Sequence, residues 1–541
     1  MQKIIRYFHQ HDRGWVLSLF VACCCVYLPF LGNPFFFDDL NFFTGVIPGQ
    51  YAHSIFQFNL RWFPYYSLGW TEEVFSDVVP HFFHLGNLLL HATNTILVFY
   101  VLRKIVGAVN QDRQNSPELI LGAWIAALIF AVHPVAVFAV GYTIQRSIVM
   151  ATLFVLLMQM AYLRGMLTGQ IRWLVLSVTC YFLAVFSKEH SFLAPAILAS
   201  LTLLLRSKIS ISKRALWLTW SALFAVAVLV TLRSRGVLGI AYEPMAAELF
   251  EQQGLLASTP MLHLLSAMTQ AGLFFKYLFL WIFPNVSWMS VDMREPFVTT
   301  STDWYGWMCL LAFMVYGIVA TRWLLRGGKM GLIGFALLYP WLQFGIELVG
   351  IRVQEPFVLY RSYLWMPGML IFVPLLMMEF PTIKTKLIFG CLVVMLIPLA
   401  WNRLWVFADS YRLWNDAAIL LKHDRVAGAD RVYYNRGQAL LAQKKWDEAA
   451  KDFECSVSLS PQLAPIHHLL AEAYRNSGRL QEALAQFDAA ISINGNDDRY
   501  HFGKGMVLRQ LGRKEEFRAE MILSCRLNNF VACLMVSPSG K

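Results

Sequence analysis

Apolar runs of roughly twenty residues recur through the first three quarters of this 541-residue chain, and nothing else in the sequence limits its fold as strongly. A run of that length crosses a bilayer as one helix, because backbone polar groups in hydrocarbon must pair within their own segment. The pattern predicts spans near 14–31, 82–106, 119–141, 147–164, 172–187, 189–206, 215–234, 304–325, 331–350, 362–380 and 384–402. Charged residues make up only 15% of the chain, against about 25% in soluble domains, and hydrophobic residues 57%. The fold class expected is all-α: a polytopic membrane domain of about eleven spans over 1–402, then a helical domain over 403–541.

Charge sets the topology. The net charge of +11 does not point to nucleic acid, because Lys and Arg sit mainly in short connectors between apolar runs. Lys3, Arg6, Arg13, Arg103, Lys104, Arg113, Arg164, Arg172, Arg206, Lys208, Lys213, Arg214, Arg322, Arg326, Lys329, Lys384 and Lys386 fall on one side in short loops. Arg61, Arg146, Lys188, Arg233, Arg235, Lys276, Arg294, Arg352 and Arg361 are spread over much longer loops on the other. The positive-inside rule makes the first side cytoplasmic. The run Trp15–Leu31 lacks a small-residue cleavage site and reads as the first span, with a cytoplasmic N-terminus. Residues 263–283 are apolar enough to span, but a span there would move Arg322, Arg326 and Lys329 outside, so this segment is expected to be re-entrant or interfacial. Two long connectors, 32–81 and 235–303, then share the outer side with the C-terminal domain.

That C-terminal domain repeats with a period of 34, the period of tetratricopeptide (TPR) repeats. Gly437, Ala471 and Gly505 are in phase, as are Ala449, Ala483 and Phe517, Glu448, Glu482 and Glu516, and Phe453, Phe487 and Met521. An α-solenoid is predicted, with a degenerate unit at 408–430 (Trp414, Ala417, Ala418) capping it. Cys455, Cys525 and Cys533 allow at most one disulfide within it.

Polar residues beside apolar runs mark candidate chemistry. Asp38 and Asp39 follow the first span, where a carboxylate can act as general base or hold a Mg²⁺ or Mn²⁺ ion. His84, Asn87 and His91 share one helix face. His133, Arg146, Lys188, Glu189, His190 and Arg361 all fall at outer ends of spans, on the side of Asp38 and Asp39. Arg61 is the one basic residue of the acidic first connector. Cations facing a carboxylate pair at a membrane surface suit a lipid phosphate donor. A soluble nucleotide-sugar donor has no evident cradle.

Together these residues resemble the GT-C glycosyltransferase superfamily, and most closely its transmembrane-and-TPR O-mannosyltransferase-like branch. The resemblance rests on Phe37-Asp38-Asp39 in the first outer loop, His84-Leu85-Gly86-Asn87-Leu88-Leu89-Leu90-His91, His133-Pro134 closing a helix, Arg146, and Lys188-Glu189 in the next outer turn. Two positions depart from the family pattern. Tyr360 stands where an acid often precedes Arg361, and Ser147-Ile148 replaces Ala-Asp after Arg146. The resemblance implies Asp39 or Asp38 as base; Arg61, Arg146, Lys188 and Arg361 as phosphate ligands; apolar helices around a polyprenyl tail; and TPRs recruiting a protein acceptor. The expected function is transfer of a sugar or glycan from a polyprenyl-phosphate carrier to a protein hydroxyl on the outer face, with the bacterial inner membrane favoured. The alternatives are a transferase acting on lipid or glycan, and a non-catalytic membrane-anchored TPR scaffold.

Overall fold

The computed structural model describes residues 12–43, 51–53, 59–75, 78–233, 259–353, 355–422 and 426–536. Lys3, Arg6 and Arg235 of the charge argument lie outside them. The chain divides into two compact units: one of 1–291 and 297–409, the other of 292–296 and 410–541. The division at 409/410 falls later than 402/403 because the last apolar helix continues to Val406.

The first unit is built from α1 (Asp12–Tyr27), α2 (Asp38–Phe43), α3 (Trp62–Phe75), α4 (Pro80–Val109), α5 (Pro117–Val132), α6 (Val137–Val140), α7 (Arg146–Thr168), α8 (Ile171–Ser187), α9 (Ala194–Leu204), α10 (Lys213–Arg233), α11 (Thr259–Ile282), α12 (Trp304–Arg326), α13 (Gly328–Phe344), α14 (Ser362–Trp365), α15 (Phe372–Glu379) and α16 (Ile383–Val406). Local signals start and stop these helices. Ser116 accepts from the Leu119 N–H ahead of Pro117, Asp303 accepts from the N–H groups of Tyr305 and Gly306, and Gly327 ends α12 at φ 69°.

Among the described residues, eight helices are long and apolar enough to cross a bilayer, or up to ten if two bent pairs each count as one span. The bent pairs are Pro117–Val132 with Pro134–Val140 and Leu359–Trp365 with Met369–Glu379, each covering one expected span. The expected spans 172–187 and 189–206 form shorter apolar helices, and 260–282 meets the length test. Side-chain contacts nevertheless sort the connectors into two ends. At one end Arg103 pairs with Asp12 at 3.0 Å, Lys208 donates to the Ala108 carbonyl at 2.6 Å, and Lys329 pairs with Glu379 at 2.7 Å. At the other end Asn33 donates to the Leu404 carbonyl at 3.0 Å, which brings the end of α16 beside the first connector. Helix α11 bonds along the 350–362 connector from Ser266 to Trp281, through Gln270 to the Pro356 carbonyl and Tyr277 to the Val358 carbonyl. Its Phe274 and Phe275 also pack on Phe313 and Tyr316 within α12 and on Phe344 of α13, so α11 has both the length and the neighbours of a span, where the charge argument expects a re-entrant or interfacial segment.

The second unit carries α17 (Ser410–Leu420), α18 (Ala429–Ala442), α19 (Trp446–Leu459), α20 (Ala464–Asn476), α21 (Leu480–Ile493), α22 (Asp498–Gln510), α23 (Lys514–Arg526) and α24 (Phe530–Val536). Successive antiparallel pairs bury the residues that recur at 34. Phe453 and Phe487 are fully buried, and a Cβ at Gly503 would stand 2.3 Å from the Phe487 ring, so only glycine permits that helix approach. His467 and His501, also 34 apart, repeat the same pair of bonds, to Gln486 and the Pro461 carbonyl and to Glu520 and the Gly495 carbonyl. Trp414 and Ala417 of α17 are buried, and Cys525 is bonded to Cys533. Asp292 is buried between Arg294 and Arg431, whose charges outweigh the effect of burial and hold its carboxyl below the ordinary range.

Candidate functional site

The site lies at the end of the first unit where α1, α7, α9, α13 and α14 meet connectors. Its two aspartates have different surroundings. Asp39 is 1% exposed and its carboxylate is held by backbone N–H groups: Ile144 at 2.7 Å on Oδ1, Thr143 at 3.3 Å and Phe36 at 3.4 Å on Oδ2. It ties the first connector to the turn that starts α7. Burial pushes its pKa up to about 7 against those N–H bonds. Asp38 is exposed, and its own N–H donates to the Tyr142 hydroxyl at 3.1 Å. Its charge is felt by Lys188, Tyr65 and Tyr142.

Facing Asp38 is a continuous ion network. Arg61, held at φ 63° at the entry to α3, makes a two-pronged contact with Glu189, one arm running from Nε to Oε2 at 3.0 Å. His190 stands between two carboxylates, 3.6 Å from Glu189 and 3.1 Å from Glu347, within ion-pair reach but outside good hydrogen-bonding angles. Glu347, 1% exposed, also takes Arg361 at 2.9 Å and Arg352 at 3.4 Å. Arg361 reaches Glu347 through Nη1, and its buried Nε has no partner. Lys188 is 3% exposed, lies 5.6 Å over the Tyr360 ring and, among the described residues, has no carboxylate within salt-bridge distance. Burial, with the charge of Arg61 added, lowers its pKa to about 7. Four cations (Arg61, Lys188, Arg352, Arg361) therefore gather around the buried carboxylates of Glu189 and Glu347, with the charges of Asp38 and Glu355 also acting on Lys188 and Arg361.

Four residues expected to touch substrate are scaffold instead. His84 donates from Nε2 to the Asn33 carbonyl at 3.0 Å. His91 donates from Nε2 to the Ala131 carbonyl, so its Nδ1 accepts from the Tyr363 hydroxyl at 2.7 Å. His133 accepts the Val135 N–H on Nδ1 and donates from Nε2 to the Trp281 carbonyl. Arg146 spends its guanidinium on Asn87, Ser67, Thr71 and the Phe83 carbonyl. Each is buried, the polar atoms of His91, His133 and Arg146 are all occupied and His84 is bonded through Nε2, so these bonds join helices rather than hold an anion. Sequence reasoning missed Glu347 and Arg352. Glu347 supplies, from fourteen residues upstream, the acid that Tyr360 does not offer Arg361. A carboxylate ending an apolar run is the signal that could have found it. Among the described residues, no group of three or more His, Cys, Asp or Glu is placed to hold a metal ion. Asp39 is committed to backbone N–H groups, which leaves Asp38 as the carboxylate open to a cation.

Many apolar helices followed by a repeat solenoid define a multi-pass membrane protein with a TPR domain. Residues 440–506 match the tetratricopeptide repeat family. Over 460 residues the chain is 23% identical to Protein O-mannosyl-transferase TMTC3 of Homo sapiens, covering 77% of this chain and 46% of that protein, so the chain spans about half the length of the curated relative it matches. Both findings fit the transmembrane-and-TPR family that the motifs resemble. Similar solved structures are MamA (18% identical, 29% of this chain and 85% of the other, TM-score 0.21) and YrrB, a TPR protein with an unusual peptide-binding site (15% identical, 30% and 86%, TM-score 0.23). At those TM-scores neither bears on the fold.

Proposed function

We propose that this chain is a membrane glycosyltransferase that moves a sugar from a polyprenyl-phosphate carrier to a protein hydroxyl on the non-cytosolic face. The observation that carries this reading is Lys188: a buried amine with no carboxylate at salt-bridge distance among the described residues, acted on by Arg61 and Arg361 and by the exposed Asp38. Such a cluster is stabilised by a phosphate. In the reaction Asp38 takes the proton of the acceptor hydroxyl, whose oxygen bonds to the sugar's anomeric carbon. The bond from that carbon to the carrier phosphate breaks, and the phosphate keeps the electron pair beside Lys188, Arg61 and Arg361. A Mg²⁺ or Mn²⁺ ion arriving with the donor would meet Asp38. The relative's printed name, an O-mannosyl-transferase, supports the reaction class, and the TPR match supports recruitment of a protein acceptor.

Sidedness has support of two kinds. The Asn33–Leu404 bond puts the end of the last apolar helix at the site's end, and the Cys525–Cys533 disulfide suits an oxidising compartment such as the bacterial periplasm. The test is glycan mass spectrometry of outer-face proteins from cells carrying the wild type, Asp38→Ala or Lys188→Met. Both variants should insert normally and lose the adduct. An undiminished adduct in either would remove the proposed centre.

A further inference from the structure

At the end of the first unit opposite the candidate site, a cavity of about 940 Å³ opens between α4, α7 and the loop after α9. Its rim is polar and cationic, with Arg103, Lys104 and Lys208, and its wall is closed by Leu97, Met160 and Leu167. A second cavity of about 470 Å³ adjoins it, sharing Lys104 and Met160 and running between Leu157, Leu176 and Trp173 of α7 and α8. The one carboxylate lining either, Asp12, is paired with Arg103 at 3.0 Å. Lys208 caps the Ala108 and Val109 carbonyls. Arg164 lies over the Trp173 ring, 4.0 Å from its centre, and has no carboxylate partner among the described residues. Lys104, at the junction, has neither an ion pair nor a hydrogen bond among the described residues. Beyond the second cavity, Ile171, Val175 and Leu176 present an exposed apolar face.

We infer that these joined cavities hold one lipid with a net-negative phosphate headgroup, the headgroup against Lys104 and Arg164 and the chain along Leu157 and Leu176. The two parts of the space differ as the two parts of such a lipid differ: a roomy cationic compartment, then a narrower apolar one leading to the lipid-facing surface. A free anion would fill only the first, and a zwitterionic lipid, whose own ammonium offsets its phosphate, would bring no net charge to balance the two cations. The inference does not depend on the proposed transfer reaction, since no residue is shared with the candidate site.

Native mass spectrometry of the full chain in detergent tests it, in a Lys188→Met background that removes polyprenyl-phosphate binding at the candidate site, with phosphatidylglycerol, undecaprenyl phosphate, phosphatidylcholine or inorganic phosphate added in turn. One phosphatidylglycerol or one undecaprenyl phosphate should be retained, and which of them competes better identifies the lipid. The pair Lys104→Gln and Arg164→Gln should cut retention at least tenfold, and Leu176→Glu should do the same with both cations present. Unchanged circular dichroism of the variants shows that the fold survives. Retention of phosphatidylcholine to the same extent, competition by inorganic phosphate at equal concentration, or undiminished binding by the double variant would overturn the proposal.

Discussion

Asp38 and Asp39 are neighbours in sequence with opposite fates. Removing the Asp39 carboxylate orphans the N–H groups of Phe36, Thr143 and Ile144, each loss costing about 1–3 kcal/mol in a buried setting. Asp39→Ala should therefore lower the thermal midpoint, whereas Asp38→Ala should leave it in place and remove transfer; differential scanning fluorimetry on both variants separates the two roles. The pKa of Asp39 gives its stability effect a sign. It is raised to about 7, so the folded chain keeps a proton that the unfolded chain has released above about pH 4. Wild-type stability should fall across that window and level off above it, and Asp39→Ala should lack the slope. Lys188 titrates in the other direction. Lowered to about 7, it is a cation below that pH and loses its charge above it. Donor affinity, read as KM against pH, should weaken as pH rises through about 7, and Lys188→Arg, charged throughout, should flatten the profile. The residue types of the site were legible in the sequence. Whether a polar atom was already occupied was not, because the partners of Arg146, His91 and His133 are largely backbone carbonyls and side chains forty or more positions away.

At the scale of elements, hydropathy located nearly every helix of the first unit, and the 34-residue phase located the solenoid. It missed the breaks. His133 ends α5, and its Nδ1 then caps the next turn through the Val135 N–H, which bends the expected 119–141 span by 48°. Gly86 has a reason that no periodicity reveals. A Cβ there would lie 2.6 Å from Arg146 Nη2, so the glycine leaves room on α4 for the guanidinium that ties α4 to α3 and α7. Gly86→Ala should destabilise the first unit by about 1–3 kcal/mol through overpacking. The double variant Gly86→Ala with Arg146→Ala should be no worse than Arg146→Ala alone, because the collision is then gone. Additive losses in a denaturation series would assign the glycine some other role.

For the whole molecule, compartment is the claim with the widest reach, because base, cations and repeats can cooperate only if the chain emerges from α16 on the side that holds Asp38. Odd parity from charge, the Asn33–Leu404 bond and the disulfide point the same way for unrelated reasons: loop charge, packing of one unit, and redox chemistry of the other. Cys455 makes this testable in the native chain. It is exposed on α19 and lies outside any disulfide, while Cys525 and Cys533 are bonded to each other and the remaining cysteines lie in apolar helices. A maleimide that cannot cross membranes, added to intact cells with a permeabilised outer layer, should label the wild type and leave Cys455→Ser unlabelled. Cys525 and Cys533 should join only after a reductant, since a disulfide offers no thiolate. If Cys455 reacts only once the inner membrane is breached, the repeats sit in the cytosol. They then cannot present an acceptor to Asp38, whatever the ion network binds.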